Sequence, residues 1–468
     1  MTIYKYFFIF LMLSQNTIAQ TVAEKLQIAV AKFETDKQLE NALYSLYVID
    51  AKTGKPLLQK NENIGMATAS CMKVITSATA YEVLGKAFTY NTLIGYTGTI
   101  ANNTLNGNLI IQGSGDPSFG SFRYPETKPN AVLIKIINAL QQQNIKAITG
   151  SILLADGYTK NVTPSNWIWE DLGNYYGAPA RLFNWHENQF DIHFSTDKNI
   201  GNQTTITNID PPIPDVTFAN EVTTAEAGSG DNTIIYLPQY ATTAIIKGTL
   251  PANDTNFVIS GAMPNPSMAF GKMLLQKLKT GNIKITNLLL STTQLGTATK
   301  AKTPIKVITT IASPTLEALN YWFMKKSINL YGEAFLNKMA EQKQGVFATA
   351  KGVEIVKAFW QQKGISSTAL NMYDGSGLSP SNRVTTSTIV KVLDYASKQP
   401  WYSSYLNAFP LYNGMKLKSG TIGDVKGFSG YHTATDGSEY IISFLVNNYS
   451  GSTKALVSKM FAVLDVLK

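Results

Sequence analysis

The stretch Ala67-Thr-Ala-Ser-Cys-Met-Lys-Val-Ile-Thr-Ser-Ala-Thr-Ala80 decides the fold. It is rich in small, helix-compatible residues and holds Ser70 and Lys73. On a helix, residues three apart share one face. The Lys73 amine then reaches the Ser70 hydroxyl without any histidine. Serine is a weak nucleophile at its free pKa and needs an adjacent base. A lysine fills that role when burial or nearby positive potential lowers its pKa. A helix starting at Thr68 or Ala69 adds such potential at its N-terminus. The other S-x-x-K match, Ser195-Thr-Asp-Lys198, follows the strand-like Phe190-Asp-Ile-His-Phe194 in a turn-like stretch and reads as chance.

A serine activated in this way needs two partner elements, S-x-N and K-T-G. Ser327-Ile-Asn329 supplies the first, at the end of an amphipathic helical pattern that begins near Ser313. Two literal K-T-G matches have structural explanations. Lys52-Thr-Gly54 sits between two alternating runs and reads as a hairpin turn. Lys279-Thr-Gly281 ends the helical pattern Met268 to Lys279, with Gly281 as its C-terminal glycine. Lys418-Ser-Gly420 departs from the literal motif, yet it comes last in the chain. It precedes Thr421-Ile-Gly-Asp-Val-Lys-Gly-Phe-Ser-Gly-Tyr431, which reads as strand, tight turn, strand.

The three elements in this order resemble the penicillin-binding proteins. Ser70 and Ser327 are 257 residues apart (327 − 70). That gap is similar to the long insertion of the class C low-molecular-mass penicillin-binding proteins, the D-alanyl-D-alanine carboxypeptidase/endopeptidase family. Four further phrases resemble that family: Gly107-Asn-Leu-Ile-Ile-Gln-Gly-Ser-Gly-Asp-Pro117, Trp169-Glu-Asp-Leu-Gly-Asn-Tyr-Tyr176, Asn188-Gln-Phe190 and Asp374-Gly-Ser-Gly-Leu-Ser379. The last also has a purely structural reading, a glycine turn with local side-chain hydrogen bonds, which we favour.

The resemblance implies a role for each residue. Ser70 attacks the carbonyl of a D-Ala-D-Ala peptide and Lys73 takes its proton. Ser327 relays a proton towards the leaving D-Ala, with Lys418 holding the local field, and Asn329 holds the substrate amide. The N–H groups of Ser70 and Thr421 form an oxyanion hole. Ser419 and Thr421 hydroxyls on either side of Gly420 bind the terminal carboxylate. Asp156 pairs with the free amine of the peptide's diamino acid. No cofactor or metal is implied. The expected partners are peptidoglycan peptides and β-lactam antibiotics. Two other readings stand beside this one: a non-catalytic wall-binding scaffold, and a secreted β-lactamase-like serine hydrolase.

The ends and the composition narrow the setting. Lys5, the apolar run Tyr6 to Leu13 and the small-residue site Thr17-Ile-Ala19 read as a signal peptide over residues 1–19, cleaved near Ala19. The apolar run is too short to span a bilayer. The expectation is an exported, periplasmic protein with at most peripheral membrane association. Cys71 is the single cysteine, so no intramolecular disulfide forms and a cysteine-based zinc site is excluded. Cys71 itself reads as core filler. The three histidines come with no G-x-S-x-G elbow. The formal charge of +9 comes from scattered lysines rather than a basic tail, which argues against nucleic acid as a partner.

More than four hundred mature residues exceed one comfortable core. The expected fold class is α+β: a transpeptidase/β-lactamase-like catalytic domain, helices on an antiparallel sheet, formed by residues 20–88 and 301–468. Residues 89–300 have a different texture, rich in Asn, Thr and Gly, and read as β-rich insertions. The resemblance implies a second domain, placed at 89–160 and 235–300, and a third inserted in it, placed at 161–234.

Overall fold

The computed structural model describes residues 20–156, 163–213, 215–287, 290–291 and 304–468. Residues 1–19, expected to be a signal peptide, lie outside them. Among the described residues, no helix is long and apolar enough to cross a membrane.

The catalytic domain is built on a six-stranded antiparallel sheet. Its strands are β1 (Leu43–Asp50), β2 (Pro56–Lys60), β3 (Leu411–Tyr412), β4 (Met415–Ile422), β5 (Val425–Thr433) and β6 (Glu439–Asn447), in the order β2-β1-β6-β5-β4-β3. Side chains alternate across each strand, and the central strands β5 and β6 are buried on both faces. Leu46, Val48, Leu417, Phe444 and Val446 face one core. It is closed by the first and last helices, α1 (Val22–Glu34) and α6 (Thr453–Leu464). Ile49, Tyr431, Ile441 and Leu445 face the other, which contains α2 (Lys73–Val83), α3 (Leu316–Lys325), α4 (Asn329–Gln344) and α5 (Thr386–Ser397). Helices on both faces of an antiparallel sheet make an α+β domain.

Nine of the eleven residues of α2, Lys73 to Tyr81, are buried. A helix covered on all sides is a core helix, and its polar side chains must then find partners inside. Thr76 Oγ1 donates to Gly375 O at 2.7 Å and Ser77 Oγ to Asn320 Oδ1 at 2.6 Å.

Among the described residues, the insertions form four sheets of their own. One has five strands, Leu290–Ser291, Ile152–Ala155, Leu109–Gln112, Asn91–Tyr96 and Lys306–Ala312 in spatial order. The strand Lys306–Ala312 therefore completes the inserted sheet, and the chain returns to the catalytic domain at about Ser313 instead of 301. The boundary placed at 234 shifts as well. Thr243–Pro251 pairs with Thr217–Ala225 and Asn232–Tyr236, and Phe257–Ala262 pairs with Gln189–Ser195. The inner unit runs on to Ala262. Texture in the sequence marks strands but not which strand a segment will join, and pairing partners decide the boundary.

One helical pattern also divides. The pattern that begins near Ser313 and runs into Ser327-Ile-Asn329 is interrupted at Lys326–Ile328, between α3 and α4, where Ser327 adopts a left-handed φ of 58°. Both literal K-T-G decoys lie where local chemistry puts them. Thr53 caps the β1–β2 turn on Asp50, and Gly281 ends the helix Pro266–Thr280.

Candidate active site

Ser70 lies in a single 3-10 turn, Ala69–Met72, that feeds α2. The α-helix itself begins at Lys73, later than the Thr68 or Ala69 start read from the sequence. Ala69, just before the serine, has φ of 44°, a region L-residues rarely occupy. Non-glycine residues held there cost of order 1–3 kcal/mol and cluster at functional sites. Ala69 and Ser327 both carry such strain, each in or beside a motif.

Lys73 is fully buried and its Nζ makes three hydrogen bonds: to Ser70 Oγ at 2.8 Å, Asn329 Oδ1 at 2.7 Å and Ser376 O at 2.7 Å. Burial pushes its pKa well below the ordinary lysine value. The Lys418 charge adds to this, and Asp374 and Glu333 oppose it. A buried lysine with a depressed pKa, one hydrogen bond from a serine, is a base poised for that hydroxyl.

The other motif residues meet here. Ser327 and Asn329 line a cleft of about 760 Å³ together with Ser70 and Thr421. Asn329 Nδ2 donates to Tyr176 O at 2.8 Å, and its second amide hydrogen is not used by that bond. Lys418 is buried on β4, where burial lowers its pKa to about 8, and its Nζ donates to Ser419 O at 2.8 Å. Gly420 explains how β4 comes so close to the serine. A Cβ there would lie 2.6 Å from Thr68 O and 2.9 Å from Ser70 N. Only glycine lets the strand lie against the serine turn.

Two residues expected at the substrate lie elsewhere. Ser419 is on the opposite side of β4 from Gly420, and its Oγ donates to Tyr412 OH at 3.0 Å. It does not line the cleft. Alternation puts Ser419 on the same face as Thr421, so it is the hydrogen bond to Tyr412 that keeps its hydroxyl out of the cleft. Asp156 is buried, accepts from Ser267 Oγ at 2.7 Å and also does not line the cleft. The carboxylates that do line it are Asp171, Glu187 and Asp424.

Asp171 lies in the stretch Trp169 to Tyr176, and the family resemblance implies no role for it. Burial pushes its carboxyl up to about 6, the Glu170 charge adds to that, and a hydrogen bond with Tyr176 opposes it. Glu187 is paired with Arg123 at 3.0 Å and accepts from Ser121 Oγ at 2.7 Å and Tyr331 OH at 2.6 Å. Glu333 sits one turn along α4 from Asn329 and is fully buried. It accepts the N–H groups of Gly375 and Ser376, and burial with the Asp374 charge pushes it up to about 8. It thereby fixes the turn that offers Ser376 O to Lys73. A glutamate four residues along a helix is the only sequence signal for it, and most such glutamates face solvent.

The Asp374 to Ser379 turn is held as its structural reading anticipated. Asp374 accepts from Gly377 N, Ser379 N, Asn382 Nδ2 and Trp167 Nε1. The Ser376 carbonyl of this turn also accepts from Lys73, a contact with no signal in the sequence. Cys71 is buried, its thiol pushed up by burial, and its Sγ meets the Lys418 carbonyl at 3.5 Å. The histidines make their contacts away from Ser70: His186 with Gln189 O, His193 with Asn256, and His432 with the Tyr440 ring.

Similarity to known proteins agrees with this geometry. The chain is 24% identical over 458 residues to a D-alanyl-D-alanine carboxypeptidase of Actinomadura sp. (strain R39), covering 92% of this chain and 82% of that protein. It is 25% identical over 413 residues to the D-alanyl-D-alanine carboxypeptidase DacB of Haemophilus influenzae, covering 83% and 82%. The crystal structure of penicillin binding protein 4 (dacB) from Haemophilus influenzae superposes with a TM-score of 0.79 at 23% identity, covering 93% of this chain and 98% of that one. The same protein has been solved in complex with a novel β-lactam, and that structure superposes with a TM-score of 0.74 at 21% identity, covering 94% and 99%. Residues 26–465 match the D-Ala-D-Ala carboxypeptidase 3 (S13) family from near the first helix to the last. The chain belongs to that family and is a serine-type D-Ala-D-Ala carboxypeptidase.

Proposed function

We propose that the protein is exported and hydrolyses D-Ala-D-Ala bonds in peptidoglycan stem peptides and in their cross-links. The reaction runs through an acyl-enzyme on Ser70, and β-lactams inhibit it by acylating the same oxygen. The observation that carries this reading is the Lys73 Nζ, buried, depressed in pKa and 2.8 Å from Ser70 Oγ.

Neutral Lys73 takes the Ser70 proton as the oxygen attacks the carbonyl carbon of the penultimate D-Ala. Negative charge on the carbonyl oxygen is met by the N–H groups of Ser70 and of Thr421, the residue that follows Gly420, which itself lies against Ser70 N. Each such donor is worth about 3–4 kcal/mol in acyl transfer. Ser327 passes a proton to the leaving nitrogen, with Lys418 stabilising the charge. The free hydrogen of the Asn329 amide grips the substrate carbonyl. Water then attacks the ester and releases the shortened peptide.

The insertions shape which peptides enter, because Asp171, Tyr175, Tyr176 and Glu187 wall the cleft from that side. Asp171, ionised above about pH 6 and beside an aromatic wall, takes the free amine of the diamino acid. The role assigned to Asp156 passes to it.

The test is a labelled penicillin followed by digestion of purified peptidoglycan with mass spectrometry of the products. Stable labelling that disappears in Ser70→Ala, with release of D-alanine and of monomers from cross-linked dimers, is expected. Labelling that persists in Ser70→Ala would sink the assignment. Rapid turnover of the antibiotic would favour a β-lactamase-like hydrolase instead.

A further inference from the structure

Lys426 has no place in the three motifs. It lies on β5 directly across from Thr421 on β4, so both side chains leave the hairpin on the same face. It is 9% exposed, and its Nζ lies 4.9 Å from the Phe428 ring centroid. Lysine is almost never this buried without a counter-charge, yet among the described residues no carboxylate lies within ion-pairing distance of it. Its one side-chain hydrogen bond goes to Thr421 Oγ1, at 2.8 Å.

That bond has a definite direction. A charged ammonium has three donors and no acceptor. Thr421 Oγ1 must therefore accept, and its own O–H turns away to find another acceptor. Thr421 is exposed in the cleft, so the acceptor comes from the cleft. With Ser419 turned to Tyr412, Thr421 carries the only β4 hydroxyl left on that side. Lys418 lies nearby and carries a second positive charge.

We infer that Lys426 is a positioning residue for the terminal carboxylate of the substrate, acting through the Thr421 hydroxyl. This rests on the D-Ala-D-Ala peptidase reading above. Lys426 holds the hydroxyl as a donor aimed at the carboxylate, and its charge is the missing partner of that anion. It selects substrates ending in a free acid over those with a blocked end, a property of specificity more than of bond making.

The test uses a matched pair of acyl-D-alanyl thioesters, one whose leaving group carries a free carboxylate and one with that carboxylate blocked as a methyl ester. In Lys426→Met, the acid-to-ester ratio of kcat/KM should fall about ten-fold or more, mostly through KM for the acid. Lys426→Arg should restore most of the ratio. Thr421→Val, which leaves the lysine in place, should give a similar fall and remains informative if Lys426→Met does not fold. The double variant should add little, since residues acting through one contact are not additive. A ratio unchanged in Lys426→Met, an equal loss on both thioesters, or fully additive losses in the double variant would each overturn the inference. If the wild-type protein turns over neither thioester, the peptidase reading itself fails, and the inference falls with it.

Discussion

Lys73 decides the chemistry at the scale of single residues. In the proposed mechanism it must be neutral to take a proton, and its depressed pKa favours the neutral form. Lys418 must stay charged, and its pKa is held at about 8. The signs follow directly. As pH rises through the lowered Lys73 value, the base is freed and acylation accelerates. As pH rises past about 8, Lys418 loses its proton and acylation slows. Stopped-flow acylation by a chromogenic cephalosporin should trace a bell with its falling limb near 8, and a rate that climbs steadily to pH 10 would contradict it. Asp171 makes a second prediction at this scale. Its carboxyl is ionised only above about 6, so preference for peptides with a free diamino-acid amine over their N-acetylated forms should grow as pH rises through 6. Asp171→Asn should erase most of that preference, and Asp156→Asn should leave it in place, as measured by kcat/KM ratios. Loss in Asp156→Asn alone would return the amine site to Asp156. These residues differ in how readable they were. Ser70 and Lys73 are three apart on one chain segment, and local geometry binds them. Asp171 needs the insertion folded against the cleft before it faces anything.

At the scale of elements, the tight contact is between β4 and the serine turn. Gly420→Ala places a methyl 2.6 Å from Thr68 O and 2.9 Å from Ser70 N, both backbone atoms. Something must shift, and overpacking of this kind costs about 1–3 kcal/mol. A displacement of about 1 Å at the nucleophile costs on the order of 100-fold in rate. We expect acylation to fall by that order while thermal unfolding moves only a few degrees. A wild-type acylation rate in Gly420→Ala would show that the oxyanion geometry does not depend on this contact. The hairpin, the last helix and the final strand were legible in the sequence because each rests on short-range periodicity. The break between α3 and α4 was not. Lys326, Ser327 and Ile328 fit a helical pattern, and the left-handed Ser327 is imposed by the packing of α4 beside α2 and the Asp374 turn.

For the whole molecule, the insertion is a clamp on the catalytic machinery as well as a wall. Tyr176 O holds Asn329, Trp167 holds Asp374, and Glu187 joins Arg123 and Ser121 to Tyr331 on α4. Glu187 is buried, so neutralising it leaves Arg123 without its counter-charge and replaces one of the two acceptor oxygens with a donor. Breaking one partner of a buried pair costs about 3–5 kcal/mol, and the partly exposed Arg123 sets the lower end. Glu187→Gln should lower stability in urea by about 3 kcal/mol and slow acylation, because Tyr331 lies two residues beyond Asn329. Undiminished stability would mean that the insertion rests on the catalytic domain without gripping it.

The sequence by itself determined the pairing of Ser70 with Lys73, the order of the three motifs, the α+β class and the long separation of the first two motifs. Those features depend on residue spacing along the chain, on helix and strand periods, and on phrases similar to a known family. Tertiary structure decided the rest. It turned Ser419 towards Tyr412, buried Asp156 against Ser267, brought Asp171 and Glu187 to the cleft, and set Lys426 against Thr421. The insertion strand Lys306–Ala312 pairs with residues more than two hundred positions earlier. No local period encodes a partner at that separation, because which faces meet is settled by the packing of whole sheets and helices.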